Sequence, residues 1–372
     1  MYKVRFVNPQ KQYKDYRKKF LQTIDNVFSR GDLILRQDLE KFEKNFAKFV
    51  NVKHAIGVNS GTDALTLSMI AIDLKKGDEV ITVAHTFMAS ISCIYHCGAK
   101  AKLIDVGKDF NMDINLIEKA ITKKTKAILP VHLNGRTCDM EKIMRIAKKH
   151  KLIVIEDAAQ SIGAKIKTNN KWKNAGTFGT TGCFSMYPFK MLGAFGDAGM
   201  VVTNDPKIAR KIKLLRYNGE DRSNRKFYYH GYTALLDNVQ AALLDVKLKY
   251  LPSWIRRRRE IAKLYNNGLK NIPETVTPDF KDSHFFDVWQ NYVIRAKNRN
   301  KLRNYLDKEA KVETLISWPK PTYKEPVLQP NKIHLLETEK ICKEVISLPM
   351  YPELTDSQIK YVIQSIKKFY KK

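Results

Sequence analysis

The stretch CFSMYPFKMLGAFGDAGMVV, residues 183 to 202, sets one lysine, Lys190, between an apolar run and a glycine-rich turn. An ammonium in apolar surroundings loses hydration, so its neutral form gains weight and the amine becomes a nucleophile toward carbonyls. The commonest use of such a lysine is condensation with an aldehyde cofactor. A lysine that lays its stem on the surface and keeps its head in water fits the same local pattern, and Lys190 alone does not separate the two.

An aldehyde cofactor that carries a phosphate and a pyridine ring needs three further parts, and residues of the right type are present for each. The run Ser60, Gly61, Thr62 stands where a short strand turns into an apolar helix, so backbone amides and the helix dipole can hold a phosphate there. An ordinary helix cap uses the same residues. Ser185, five residues before Lys190, offers a hydroxyl to the same phosphate. Asp157 ends the apolar run LIVIED, at the carboxyl edge where open α/β sheets place their ligands. A carboxylate there keeps a pyridine nitrogen protonated and makes the ring an electron sink; a helix cap or a surface acid is the plainer alternative, which the pair Glu156 and Asp157 disfavours. Phe87, in AHTFMAS just beyond the strand EVITV, either stacks on a ring face or fills the core. The glycines of GAFGDAG let the backbone turn tightly beside a cofactor. That segment is neither GxGxxG nor GxxxxGK, so dinucleotide and P-loop readings lose their main support.

The elements that must position these residues alternate along the chain. EVITV (79 to 83), KAKLIDV (100 to 106), KAILPVH (126 to 132) and LIVIED (152 to 157) are short β-rich runs, separated by helical segments such as DINLIEKAI and DMEKIMRIAKKH. Continuous apolar strands imply helices on both faces of a mainly parallel sheet, hence an α/β large domain. DLEKFEKNFAKF (38 to 49) is helical by spacing, GMVVT (199 to 203) is a strand, and LLDNVQAALLDVKLKYL (235 to 251) reads as a strongly amphipathic helix closed by Pro252. The strand WQNYVIRA, the helix NKLRNYLDKE and a closing helix from about residue 355 predict a smaller α+β domain. With 372 residues, two domains are expected: 1–250 with the N-terminal arm, and 251–372.

Composition bounds the rest. The formal charge of +29 raises polyanion binding, but the lysines are scattered along helices, and the densest run, Arg256 to Arg259, reads as a solvated helix face. Without interleaved basic and aromatic residues or a reading helix, no nucleic-acid partner is expected. Five cysteines with no CxxC argue against a disulfide framework or a zinc site, so no metal is expected and buried free thiols are the default. Cys93 and Cys97 share a helix face, but no further Cys or His pair accompanies them. The N-terminus lacks a signal-peptide core and no apolar run approaches the ~20 residues of a membrane span. A cytoplasmic protein with no membrane partner is expected.

NSGTDAL, EDAAQSIGA, CFSMYPFKMLGAFGDAGMVVTND, LDNVQAAL and, near the C-terminus, ISLPMYPEL resemble in order and spacing the DegT/DnrJ/EryC1/StrS family of sugar aminotransferases. The resemblance covers nearly the whole chain. It implies the fold type I aminotransferase architecture, pyridoxal 5'-phosphate as cofactor, and transfer of an amino group from L-glutamate to a nucleotide-linked keto-deoxysugar in a homodimer with shared sites. Carried over by position, Lys190 looks like the lysine that binds the cofactor and Asp157 like the partner of its ring nitrogen. Gln160 matches the residue near the phenolic oxygen, Phe87 the stacking aromatic, and Gly61, Thr62 and Ser185 the phosphate ligands. The lysine also sets the chain apart from the dehydratase offshoots, which have histidine there.

One departure stands out: many members carry GYNxR in a loop that reaches the neighbouring site, where this chain has GYTALLD, with Thr233 and Leu235 at the Asn and Arg positions. A threonine hydroxyl still bonds a phosphate; leucine cannot replace the arginine charge. Tyr187, Tyr217, His230 and Trp318 are the candidates for contact with sugar or base. A PLP-fold protein without turnover, serving regulation or binding, is the rival reading.

Overall fold

The computed structural model describes residues 2–278, 283–328 and 333–371. The chain begins with two helices, α1 (Pro9–Ser29) and α2 (Gln37–Val50). Five strands follow, β1 (His54–Val58), β2 (Glu79–Val83), β3 (Lys100–Ile104), β4 (Thr125–Ile128) and β5 (Ile153–Asp157). Between and after them come α3 (Gly61–Ala71), α4 (Ala89–His96), α5 (Ile117–Ala120) and α6 (Met140–Lys149). A small hairpin, β6 (Lys165–Thr168) and β7 (Lys171–Asn174), precedes β8 (Thr181–Ser185) and β9 (Gly199–Thr203).

The main sheet has the order β1-β9-β8-β5-β4-β2-β3. Its strands from β3 to β8 run parallel, while β9 is antiparallel to both β8 and β1. Alternation along each strand sends neighbours to opposite faces. Cys183, Val201 and Ile155 face α3 and α7 (Pro206–Leu215), whereas Phe184 and Val202 join α2 and α8 (Asn238–Leu248) on the other side. Both faces are covered, as the apolar runs predict.

Three expectations need correction. The helix read as amphipathic over 235–251 is the shorter α8, and it is enclosed rather than one-sided: Ala241, Leu243, Leu244, Asp245, Lys247 and Leu248 are all buried. Pro252 does not close it but sits in the first turn of α9 (Leu251–Leu269), where a missing N–H costs nothing. The segment DINLIEKAI forms only a 3-10 turn (Ile114–Leu116) and the single turn α5.

The third correction concerns Arg256 to Arg259, of which only Arg256 keeps to a solvated face. Arg258 is buried and donates to the carbonyls of Trp289, Gln290 and Met350 at 2.9, 3.3 and 3.0 Å. Arg257 reaches Leu354 O at 2.7 Å and Asp356, and Arg259 reaches Asp287 O at 2.7 Å while lying over the Phe286 ring. Helical spacing carried these cations inward, where they close carbonyls of chain segments that have no ladder partner.

Beyond α8 a second core forms. A short hairpin, β10 (Glu220–Asp221) and β11 (Lys226–Phe227), lies before α8; after α9 come β12 (Thr275–Val276), β13 (Phe285–Phe286), β14 (Tyr292–Ala296), α10 (Arg299–Lys308), α11 (Leu336–Glu344), β15 (Val345–Leu348) and α12 (Asp356–Lys371). Strands β12, β14 and β15 make an antiparallel sheet, and β13 extends the β6–β7 hairpin. Tyr265, Tyr292, Leu302, Ile346 and Ile359 pack at its centre together with Val4 from the N-terminal arm. α9 is shared: Trp254 and Ile255 belong to the large core, Ile261, Tyr265 and Leu269 to the small one. Among the described residues no helix is long and apolar enough to cross a membrane, and no cluster of His, Cys, Asp or Glu suits a metal ion.

Candidate active site

Glu156 and Asp157, consecutive at the end of β5, point to opposite faces. Glu156 is fully buried and accepts from the amides of Gly176, Phe178 and Gly179 at 2.8, 2.6 and 2.7 Å, and from His132 Nε2 at 2.9 Å. Cys138 N donates to His132 Nδ1 at 3.0 Å, so the ring proton of the neutral imidazole sits on Nε2, toward Glu156. That carboxylate is a fully paired staple and not part of the cavity. Asp157 looks the other way. It accepts from Ser90 Oγ at 2.7 Å and from Ala159 N at 3.1 Å. Thr86 Oγ1 lies 2.9 Å from Ser90 Oγ. Since the one hydroxyl proton of Ser90 goes to Asp157, Thr86 is the donor in that second bond, and the two hydroxyls form a short relay that ends on the carboxylate.

Lys190 rides on a turn between β8 and β9. The turn is closed by Lys190 N to Tyr187 O and Ala194 N to Met186 O, both 2.8 Å. A Cβ on Gly193 would stand 2.1 Å from Pro188 O, so only glycine permits the return. The lysine side chain is half-buried and opens on the cavity. Burial draws its ammonium below the ordinary lysine range, and the charge of Asp157 opposes part of that shift.

The third wall is the start of α3. Ser60 caps it, accepting from Asp63 N at 3.0 Å and donating to Asp63 Oδ2 at 2.9 Å. The amides of Gly61 and Thr62 remain as open donors of the first turn. Gly61 is required by contact rather than by backbone angle: a Cβ there would lie 2.6 Å from Ser185 Cβ. Its absence brings the helix start against the Ser185 hydroxyl, which makes a cradle of two amides and one O–H.

These groups line one cavity of about 510 Å³. Gly61, Thr62, Phe87, Asp157, Gln160, Ser185, Tyr187 and Lys190 all border it, with Ser90, Thr86 and Asp197, which the sequence patterns did not single out. Phe87 is 63% exposed, a ring held open on the cavity wall. Gln160 Oε1 accepts Asn134 N at 2.9 Å. The remaining three candidates lie elsewhere. Tyr217 pairs with Thr233 and lies under Arg222, His230 is exposed beyond β11, and Trp318 packs edge-on against His85 with centroids 5.3 Å apart. A cavity that joins an amine of lowered basicity, an inward carboxylate, an open aromatic face and an anion cradle fits a phosphorylated pyridine aldehyde.

A mainly parallel sheet with a lysine and a carboxylate at one cavity defines an aminotransferase scaffold. The chain belongs to the DegT/DnrJ/EryC1/StrS aminotransferase family, whose model matches residues 14–367. It is 40% identical to a pleiotropic regulatory protein of Geobacillus stearothermophilus, over 97% of this chain and 96% of that one. It is 35% identical to the dTDP-3-amino-3,4,6-trideoxy-alpha-D-glucose transaminase of Streptomyces venezuelae, over 99% and 96% of the two chains. The solved structure of S. venezuelae DesV in complex with a ketimine intermediate matches with a TM-score of 0.95 at 35% identity, covering the whole of both chains.

Proposed function

We propose that this protein is a pyridoxal 5'-phosphate-dependent aminotransferase that moves an amino group from L-glutamate to a nucleotide-linked keto-deoxysugar, a 3-keto or 4-keto hexose. The observation that carries the reading is the meeting of Lys190, Asp157 and the open start of α3 on one cavity. The substrate class rests on the named S. venezuelae transaminase, whose name specifies a dTDP-linked 3-amino sugar.

Bound in the cavity, pyridoxal 5'-phosphate supplies an aldehyde carbon for the amino group and a ring that withdraws electrons from it. Gly61, Thr62, the α3 dipole and the Ser185 hydroxyl hold the phosphate. Phe87 covers one ring face. With Gln160 Oε1 taken by Asn134 N, the amide NH₂ is the end left to donate to the phenolic oxygen. Asp157 keeps a proton on the ring nitrogen, and Ser90 keeps Asp157 in place. Lys190 Nζ, less basic than an exposed lysine, would take the proton from the α-carbon of glutamate and deliver it to the carbon that had been the aldehyde carbon. Tyr187 stands at the cavity wall where a sugar enters.

The reading extends to a cytoplasmic homodimer with shared sites. Phe227, Tyr228, Tyr229 and Tyr232 are exposed on and beyond β11, the kind of apolar surface a second copy covers. Thr233, exposed on the same segment, then offers its hydroxyl to the neighbouring phosphate, and Tyr217 and His230 serve that neighbouring site. Leu235 instead pairs with Val58 at the end of β1. The Geobacillus relative's name favours a silent regulatory protein as second reading; the complete set of cavity groups speaks for turnover.

The test is a half-reaction of the cofactor-loaded protein with glutamate, followed by a panel of nucleotide-linked 3-keto and 4-keto sugars read by mass spectrometry. Formation of 2-oxoglutarate is expected, and its absence sinks the enzyme. If 2-oxoglutarate forms but no sugar is aminated, the substrate class alone falls.

A further inference from the structure

The turn that carries Lys190 has few bonds of its own, and side chains from distant elements hold it. Gln290 Nε2 donates to Phe189 O at 2.9 Å, one residue before the lysine. Lys247 Nζ, from α8, donates to Gly193 O at 2.5 Å, three residues after it. Gln240 Oε1, two turns earlier on the same face of α8, accepts Phe195 N at 3.0 Å. The Gln290 end is itself fixed, because Arg258 holds the carbonyls of residues 289 and 290.

Lys247 is the unusual member. It is 4% exposed, among the described residues its one hydrogen-bond acceptor is Gly193 O, and its ammonium otherwise lies over the rings of Phe20 and Phe195, 5.5 and 4.2 Å from their centroids. Glu353 acts on it through its charge, which opposes part of the effect of burial. A buried ammonium with so few partners is costly, and an apolar chain of the same length would pack between those two rings with less penalty. The lysine is therefore poorly explained as packing. It is well explained by the carbonyl it grips.

We propose that Lys247 is a positioning residue for Lys190: by donating to Gly193 O it holds the far end of the turn, against the grip of Gln290 on Phe189 O, and so aims the Lys190 amine into the cavity. The inference rests on Lys190 carrying the aminotransferase chemistry. Without the grip the turn keeps its short closing bonds and the Gln240 contact to Phe195 N but loses the α8 anchor nearest Lys190, and the amine wanders over a wider range. Misplacement of a reacting group by about 1 Å costs on the order of a hundredfold in rate.

The experiment compares holoenzymes of Lys247→Met, Lys247→Arg and Gln290→Met with the unaltered protein. It measures cofactor affinity by equilibrium dialysis, the visible circular dichroism of the bound cofactor, and, in single turnovers with glutamate, the limiting rate constant (kcat below) and the half-saturating glutamate concentration (KM below). A working half-reaction in the unaltered protein, abolished by Lys190→Ala, secures the underlying reading first. For Lys247→Met the expected result is a kcat lower by about tenfold to a hundredfold, with KM and cofactor affinity within about twofold and an altered dichroic band. Lys247→Arg, which keeps a charged donor for Gly193 O, recovers kcat to within about threefold of the unaltered enzyme. A Lys247→Met enzyme with unchanged kcat overturns the proposal, as does a loss of activity that only follows a loss of bound cofactor. Should Lys247→Met fail to fold, Gln290→Met decides by the same split, since it releases the other end of the turn, and an unchanged kcat there overturns the proposal equally.

Discussion

Replacing Ser90 by alanine removes the hydroxyl that donates to Asp157 Oδ2 at 2.7 Å, inside a fully buried setting. It also strands Thr86, whose hydroxyl loses its acceptor 2.9 Å away. Asp157 then keeps one donor, the amide of Ala159 at 3.1 Å. A hydrogen bond to a charged group is worth about 1.5–3 kcal/mol, and a water in the vacated space recovers part of it, which leaves about 1–2 kcal/mol. If the whole of that falls on the ability of Asp157 to hold the ring-nitrogen proton, the half-reaction slows by roughly 5- to 30-fold. The assay is a single-turnover reaction with glutamate at saturating cofactor, with melting temperature as the control for folding. Ser90→Ala should fall between the unaltered protein and Asp157→Asn. A rate within twofold of the unaltered protein would refute the idea that the hydroxyl relay supports the carboxylate.

Lys190→Ala should abolish turnover, and borohydride treatment followed by peptide mapping should find the pyridoxyl adduct on Lys190 and nowhere else. Gly61→Ala puts a methyl 2.6 Å from Ser185 Cβ, so the phosphate cradle must open; equilibrium dialysis should show cofactor affinity reduced by about tenfold or more, the scale of one lost charge-assisted bond. Arg258→Met leaves three buried carbonyls without their donor and should cost about 3 kcal/mol or more in chemical denaturation. Lys247 is drawn down to about 8 by burial, against 10.5 for a free lysine. Between those values the unfolded chain binds the extra proton, so the stability of the unaltered protein relative to Lys247→Met should rise with pH from about 8 to about 10.5 and stay level below 8.

The residues that line the cavity were legible because each carries a local sign of its chemistry. Lys190 stands out against an apolar run, Asp157 against the end of a buried strand, and Gly61 and Thr62 at a strand-to-helix turn. What supports them has no such sign. Ser90 is one more small residue in an apolar helix, Lys247 one of many lysines, and Gln290 lies a hundred residues from the turn it holds; each acquires its role only when folding brings distant segments together. The Glu156–His132 staple was half visible, as an acid pair, but the pair splits across the two faces of the sheet. The run Arg256 to Arg259 misled because a charge run normally marks solvent, and here the carbonyls of two C-terminal segments draw Arg257, Arg258 and Arg259 inward while Arg256 stays exposed. Tyr217, His230 and Trp318 do not line the single chain's cavity: Tyr217 and His230 lie on the exposed segment around β10 and β11, and Trp318 packs on His85 just behind the Phe87 wall.

Helix α9 runs without a break for 19 residues, about 28 Å at 1.5 Å per residue, with one half in each hydrophobic core. A hinge between the two halves of the molecule would have to bend this rod or tear Arg258 from its three carbonyls. Selectivity for an incoming molecule is therefore set at the rim of the cavity, whose segments can change in sequence while this shared frame stays as it is.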